Sequence, residues 1–233
     1  MTTWLLDYYN WRVVALYLDE FSRGLMATLN ISAIALVLSL IIGTGLALAR
    51  MSTRPLIWRP VAAYIQFIRA TPLLVQIYIV YYALPYLLPF TLRWDEMWLG
   101  IFALVLHTAP YMGEILRVGF ESVPQGQVEG AKAVGMNALQ RLRYVILPQG
   151  FVNTVPPLLG QTAILIKDTS LLSLITVFEL LSAGMIMNSQ RIMPTESFMT
   201  VAAGYLLIYA LMLVLSGWVS RRLSGPAWSV RQP

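Results

Sequence analysis

Polar side chains stand at Thr71, Gln76, His107, Glu114, Gln161, Lys167, Asp168, Thr169 and Ser170, and again at Glu179. All lie within or at the edge of long apolar stretches. In such surroundings a polar group must be hydrogen-bonded, paired, or placed on a water-filled path. Lys167 and Asp168 could pair with each other or with another segment and fix a bend, or they could meet the two ends of a zwitterionic solute. Glu114 and Arg117 are spaced i,i+3 and predict an ion pair at a helix end near the inner face. His107 reads as a hydrogen-bonded packing residue rather than a proton relay. The chain has no cysteine and a single histidine, so it carries neither a disulfide framework nor a Cys- or His-cluster metal site. It also lacks the G-x-x-x-x-G-K-[ST] phosphate loop, so no such nucleotide site is expected in this chain.

The elements that hold these residues follow from hydropathy. Of 233 residues, 58% are hydrophobic and 12% charged, about half the charge a water-soluble domain carries. Uncharged runs occupy residues 24–49, 70–92, 97–113, 144–166 and 197–220. Each approaches or exceeds the ~20 residues a helix needs to cross hydrocarbon, and in lipid such spans must be helical. The expected architecture is all-α and integral to a membrane, a single domain over 1–233. It has about five transmembrane helices near 22–49, 61–88, 96–117, 146–168 and 197–220, with a loop at 118–145. Gly43 and Gly45 allow close helix contact. Pro72, Pro85, Pro110 and Pro156–Pro157 are expected to interrupt their spans and open a solute path, and Pro148 to end the helix before it.

The net charge of +5 is spread between apolar runs, which favours membrane orientation over nucleic-acid binding. The basic segments Arg50/Arg54/Arg59, Arg117/Lys132/Arg141/Arg143 and Arg221/Arg222/Arg231 should share the cytoplasmic side. Residues 168–195 must then return to the face they left, which puts the N-terminus outside and the C-terminus inside. The first twenty residues do not resemble a cleavable signal. Trp4, Tyr8, Tyr9, Trp11 and Tyr17 suit a segment at the headgroup level. No internal repeat is evident.

Within the loop, residues 127–134 read as a short helix ending at a left-handed Gly135. Asn137 then caps a second helix, with Gln140 completing a capping box. Val128, Ala131, Leu139, Leu142 and Ile146 fall near one helical face, opposite Glu129, Lys132, Gln140, Arg141 and Arg143. Such a helix pair suits a groove on a soluble partner.

Glu129-Gly130-Ala131, Gly135 and Val145-Ile146-Leu147-Pro148 resemble the EAA loop of ABC-type importer permeases, with Gly130 and Val145 as small departures. Arg69-Ala70-Thr71-Pro72-Leu73-Leu74-Val75-Gln76, Ala109-Pro110-Tyr111-Met112-Gly113-Glu114-Ile115-Leu116-Arg117, Ser122-Val123-Pro124-Gln125-Gly126-Gln127 and Lys167-Asp168-Thr169-Ser170-Leu171 resemble the polar amino acid branch, in its order, over roughly residues 22–223. The resemblance implies a type I importer permease in a bacterial cytoplasmic membrane. Glu129, Gly130, Ala131, Gly135, Leu139, Leu147 and Pro148 would couple it to an ATPase dimer that binds ATP and Mg, while this chain binds no cofactor. It further implies a second permease subunit, identical or paralogous, and a soluble binding protein that delivers substrate at the outer face. On this reading the polar residues from Thr71 to Ser170 line the substrate path. An ion-coupled carrier using Asp168, Glu179 or Glu114, or a membrane scaffold, would be the alternatives.

Overall fold

A computed structural model describes residues 9–223; Trp4, Tyr8 and Arg231 lie outside them. The described chain is helical throughout. Helix α1 is Trp11–Ala15, α2 Leu18–Arg50, α3 Pro55–Ala70, α4 Leu73–Leu87 and α5 Glu96–Glu121. Then come α6 Gln125–Ala133, α7 Ala138–Arg141, α8 Leu147–Asp168, α9 Leu180–Arg191 and α10 Pro194–Leu223. Among the described residues, four helical stretches are long and apolar enough to cross a membrane, and a fifth if α3 and α4 count as one broken span. Helix α9 has 12 residues, too few to cross.

The prolines act less uniformly than expected. Helix α5 runs through Pro110 and α8 through Pro156 and Pro157. The helix that begins at Ala138 does not stop before Pro148 but continues into α8, and Pro85 is carried inside α4. A π turn precedes each of these two prolines, Ile79–Ala83 before Pro85 and Leu142–Ile146 before Pro148. A widened turn makes room for a ring that would otherwise meet the carbonyl of residue i−4. Of the prolines expected to interrupt a span, only Pro72 coincides with a break. There the chain between α3 and α4 is rescued by a side chain: Gln76 Nε2 donates to the Thr71 carbonyl at 3.1 Å and to Thr71 Oγ1 at 2.6 Å. Without such a substitute partner a backbone break in lipid is too costly, so the other helices stay whole.

The chain divides into two compact units. The first comprises the described residues through Val37, Thr71–His107 and Ala163–Leu211; the second comprises Leu38–Ala70, Thr108–Thr162 and the described residues from Met212. In the first unit Ile31, Ile77, Leu104, Leu165, Leu172 and Ile175 form one buried cluster, and Tyr17, Phe21, Leu180, Ala183, Met187 and Val201 another. Tyr17 is 8% exposed and donates to Gln190 Oε1 at 2.8 Å, and the Tyr9 hydroxyl lies 2.7 Å from Thr200 Oγ1. These two tyrosines therefore pack inward rather than anchor at headgroups, and Trp11 is the exposed one. Glu179, fully buried, is the N-cap of α9. It accepts from the backbone N–H groups of Leu181 and Ser182 and from the Tyr205 hydroxyl at 2.7 Å. That is the charge a helix N-terminus prefers.

In the second unit α2 and α5 cross at Gly43 and Gly113. A Cβ on Gly43 would lie 2.9 Å from the Ala109 carbonyl and 3.0 Å from the Gly113 nitrogen. Gly45, expected to share this role, has nothing within 4 Å, because it lies on the opposite side of the helix. A second close crossing joins α5 to α8, where a Cβ on Gly119 would come within 2.9 Å of the Gly150 carbonyl.

Candidate functional site

The loop between α5 and α8 is built by two caps. Helix α6 closes on Gly135, whose φ of +83° lies in the left-handed region that favours glycine. The Met136 N–H reaches the Ala131 carbonyl at 3.1 Å and the Gly135 N–H the Lys132 carbonyl at 2.9 Å, the paired bonds of a Schellman end. Asn137 Oδ1 accepts from the Gln140 N–H and Gln140 Oε1 from the Asn137 N–H, both at 2.9 Å, so the N-cap of the next helix stands two residues after Gly135. The turn is thus rigid while its surface stays open. Ala131 is buried, and Leu139 is 71% exposed, open to a partner as the spacing suggests. Val134 and Tyr144 are also exposed, as are Glu129, Gly130 and Pro148.

In the first unit Thr71, Gln76 and His107 form one hydrogen-bonded chain. The Thr71 carbonyl can only accept, which fixes the Gln76 amide nitrogen toward it and the amide oxygen toward His107. His107 Nδ1, 3.1 Å from that oxygen, must therefore carry a proton. The remaining polar positions of that unit do not join this chain. Thr169 and Ser170 spend their hydroxyls on the Ile166 and Lys167 carbonyls, both at 2.7 Å. Lys167 Nζ lies 5.6 Å from the centre of the Tyr209 ring, and among the described residues no ion pair joins it to Asp168. Gln161, in the second unit, is half-buried.

Also in the second unit, Glu114 is the centre of a network. Arg117 donates to its Oε2 from Nε at 3.1 Å and from a terminal nitrogen at 2.8 Å, confirming the pair expected from spacing. Arg50, the last residue of α2, donates to Oε1 at 3.3 Å, and Arg117 also holds Glu121 at 2.6 Å. A cavity of about 400 Å³ adjoins this network, with Arg69, Tyr111, Glu114, Ser122 and Asn153 on its wall.

The pattern of the family described as "Binding-protein-dependent transport system inner membrane component" matches residues 39–225. The chain belongs to this family. The permease is 36% identical over 206 residues to the octopine transport system permease protein OccM of Rhizobium radiobacter, covering 84% of this chain and 83% of that one. It is 40% identical to the L-cystine transport system permease protein TcyB of Bacillus subtilis over 68% of this chain and 67% of the other. A crystal structure of an amino acid ABC transporter with histidines superposes with a TM-score of 0.82 at 30% identity, over 90% of this chain and 96% of that one. The MetNI methionine ABC transporter in an inward-facing conformation shares the fold at a TM-score of 0.75 and 18% identity, over 89% and 97%.

The permease is therefore a multi-pass inner-membrane component of an ABC importer. It works with a binding protein, and ATP hydrolysis belongs to a separate subunit. Arg50, Gly119 and Gly150 escape a reading of local spacing. Arg50 shows only as the charged end of an apolar run, and Gly119 and Gly150 are lone glycines on different helices.

Proposed function

We propose that the permease carries a polar amino acid or a close relative such as an opine, paired with a second permease subunit. The observation that supports this best is the likeness to an amino acid ABC transporter over nearly the whole of both chains, joined by the names of the octopine and cystine relatives. A zwitterion cannot cross hydrocarbon unaided, since each charge costs from ~3 to more than 10 kcal/mol near the centre. In this reading Thr71, Gln76, His107, Glu114, Gln161, Lys167, Asp168, Thr169 and Ser170 supply or support the polar path. Glu129, Gly130, Ala131, Gly135, Leu139, Leu147 and Pro148 form the coupling element, and the exposed Val134 and Leu139 offer apolar anchors to the ATPase groove. ATP and Mg stay on that partner. ATP closure pulls the rigid turn, and the spans switch between inward- and outward-facing states. The ion-coupled alternative is weakened because Glu179 caps a helix and Glu114 is held by two arginines.

The tagged chain, purified from its own membrane in mild detergent, should bring an ATPase with it and, once in vesicles, take up an amino acid only with ATP. Gly135→Val strains a left-handed position by about 1–2 kcal/mol and should lower both copurification and uptake, whereas Gly135→Asn, which tolerates that region, should keep them. Uptake driven by an ion gradient with no ATPase present would defeat the proposal.

The orientation we propose places the N-terminus outside and residues 118–145 in the cytoplasm, because three basic segments then share the inner side. A cysteine introduced beside Arg93 should react with an impermeant reagent only from outside; reaction from the cytoplasmic side alone would reverse the topology.

A further inference from the structure

We infer that the cavity of the second unit is a carboxylate-binding site and that Arg69 holds the carboxylate. Three features of its wall point there. The first is charge. Glu114 is matched by Arg50 and Arg117, and Glu121 by Arg117, while among the described residues no ion pair includes Arg69. The wall thus offers a cation that its neighbouring carboxylates do not neutralise. The second is position. The Arg69 guanidinium carbon lies over the Tyr111 ring, 5.3 Å from its centre. A guanidinium held by its charge against an aromatic face keeps N–H donors for a planar, bidentate acceptor. The third is a complementary pole. Asn153 donates its amide N–H to Ser122 at 2.8 Å, and Ser122 donates to the Gly119 carbonyl at 2.7 Å. The Asn153 amide oxygen is left with acceptor capacity, and Glu114 uses three of roughly four lone-pair positions. Acceptors therefore stand on the same wall as the arginine, as the ammonium of an α-amino acid requires. A volume of about 400 Å³ falls within the range of sites for small solutes. The assignment rests on reading the permease as an amino acid importer and adds the residue that would grip the acid group.

Val118 also lines the cavity and is exposed, and the chain has no native cysteine, so Val118→Cys supplies a unique thiol there. The complete assembly in vesicles is labelled with a small methanethiosulfonate in the presence of L-arginine or L-glutamine, and in parallel with their α-carboxamides. The free acids should slow labelling about tenfold when present at ten times their dissociation constant, and the carboxamides should not. Arg69→Met should abolish the protection, and Arg69→Lys should weaken it, since lysine lacks the fork. Protection by acids and amides alike, no protection by either acid, or protection that survives Arg69→Met would each overturn the site. If Arg69→Met does not assemble, Arg69→Lys decides: undiminished protection would overturn the assignment of the carboxylate to the arginine fork. ATP-dependent uptake is followed in the same vesicles. Intact uptake with an unprotected thiol sinks the site alone, whereas absent uptake of any amino acid sinks the importer reading beneath it.

Discussion

Gly43→Leu is expected to leave little folded permease in the membrane and to lower the unfolding midpoint of whatever is recovered in detergent. Two transmembrane helices gain nothing from hiding apolar surface from each other in lipid, so their association depends on close packing. Here that packing is limited by backbone. A Cβ at Gly43 meets the Ala109 carbonyl at 2.9 Å, the Gly113 nitrogen at 3.0 Å and Met112 Cβ at 3.0 Å. A flexible side chain could turn aside, but a helix backbone cannot, so α2 and α5 must separate. Overpacking of this kind costs about 1–3 kcal/mol for added methylenes and more where backbone is struck. The same separation pulls Arg50 from Glu114, since both lie on these helices. The control is Gly45→Leu, two residues away on the same helix, where nothing lies within 4 Å. It should be neutral or gain up to about 1 kcal/mol from the better helix propensity of leucine. Thermal unfolding of the two variants side by side is the measurement, and equal midpoints would refute the crossing.

That pair of glycines shows where sequence reasoning succeeds and where it stops. Both were legible as small residues in an apolar helix, but which one faces a neighbour depends on the rotation of α2, which an apolar run with no polar face does not set. Gly135 was legible because its role is local: an amphipathic turn ends there, and Asn137 and Gln140 mark the next start within three residues. The Glu114–Arg117 pair was legible for the same reason, being one turn apart. Arg50 was not, because its partner lies 64 positions away and no spacing rule connects them. Pro85 and Pro148 are carried inside helices because a π turn precedes each, and π turns leave no signature in composition. At Pro72 the break was anticipated, but its remedy, the Gln76 side chain folded back on Thr71, appears only in three dimensions. A lone histidine in an apolar run implies a hydrogen bond, but its partner Gln76 lies 31 positions away and no spacing rule names it.

Glu114→Ala should be the most damaging single change among the charged residues of the second unit. The side chains of Arg50, Arg117 and Glu114 are 22%, 21% and 18% exposed, so the charges are largely shielded from water. Removing the carboxylate strips Arg50 of its ion-pair partner and leaves it against the face of Trp58, 5.8 Å from the ring centre. Arg117 retains Glu121 at 2.6 Å. Losing one partner of a buried pair costs about 3–5 kcal/mol, much of it the penalty of the charge left behind. Residual exposure should bring this to roughly 3 kcal/mol, a fall of roughly 6–12 °C in unfolding midpoint for a chain of this size. Arg50→Met should cost less, because Arg117 still neutralises Glu114. Arg50→Met combined with Glu114→Ala should cost less than the two single losses added together, since the double change leaves no stranded arginine on α2. Midpoints of the three variants in the same detergent test this. Strict additivity would mean that Arg50 and Glu114 act independently, and that the network does not tie the end of α2 to α5.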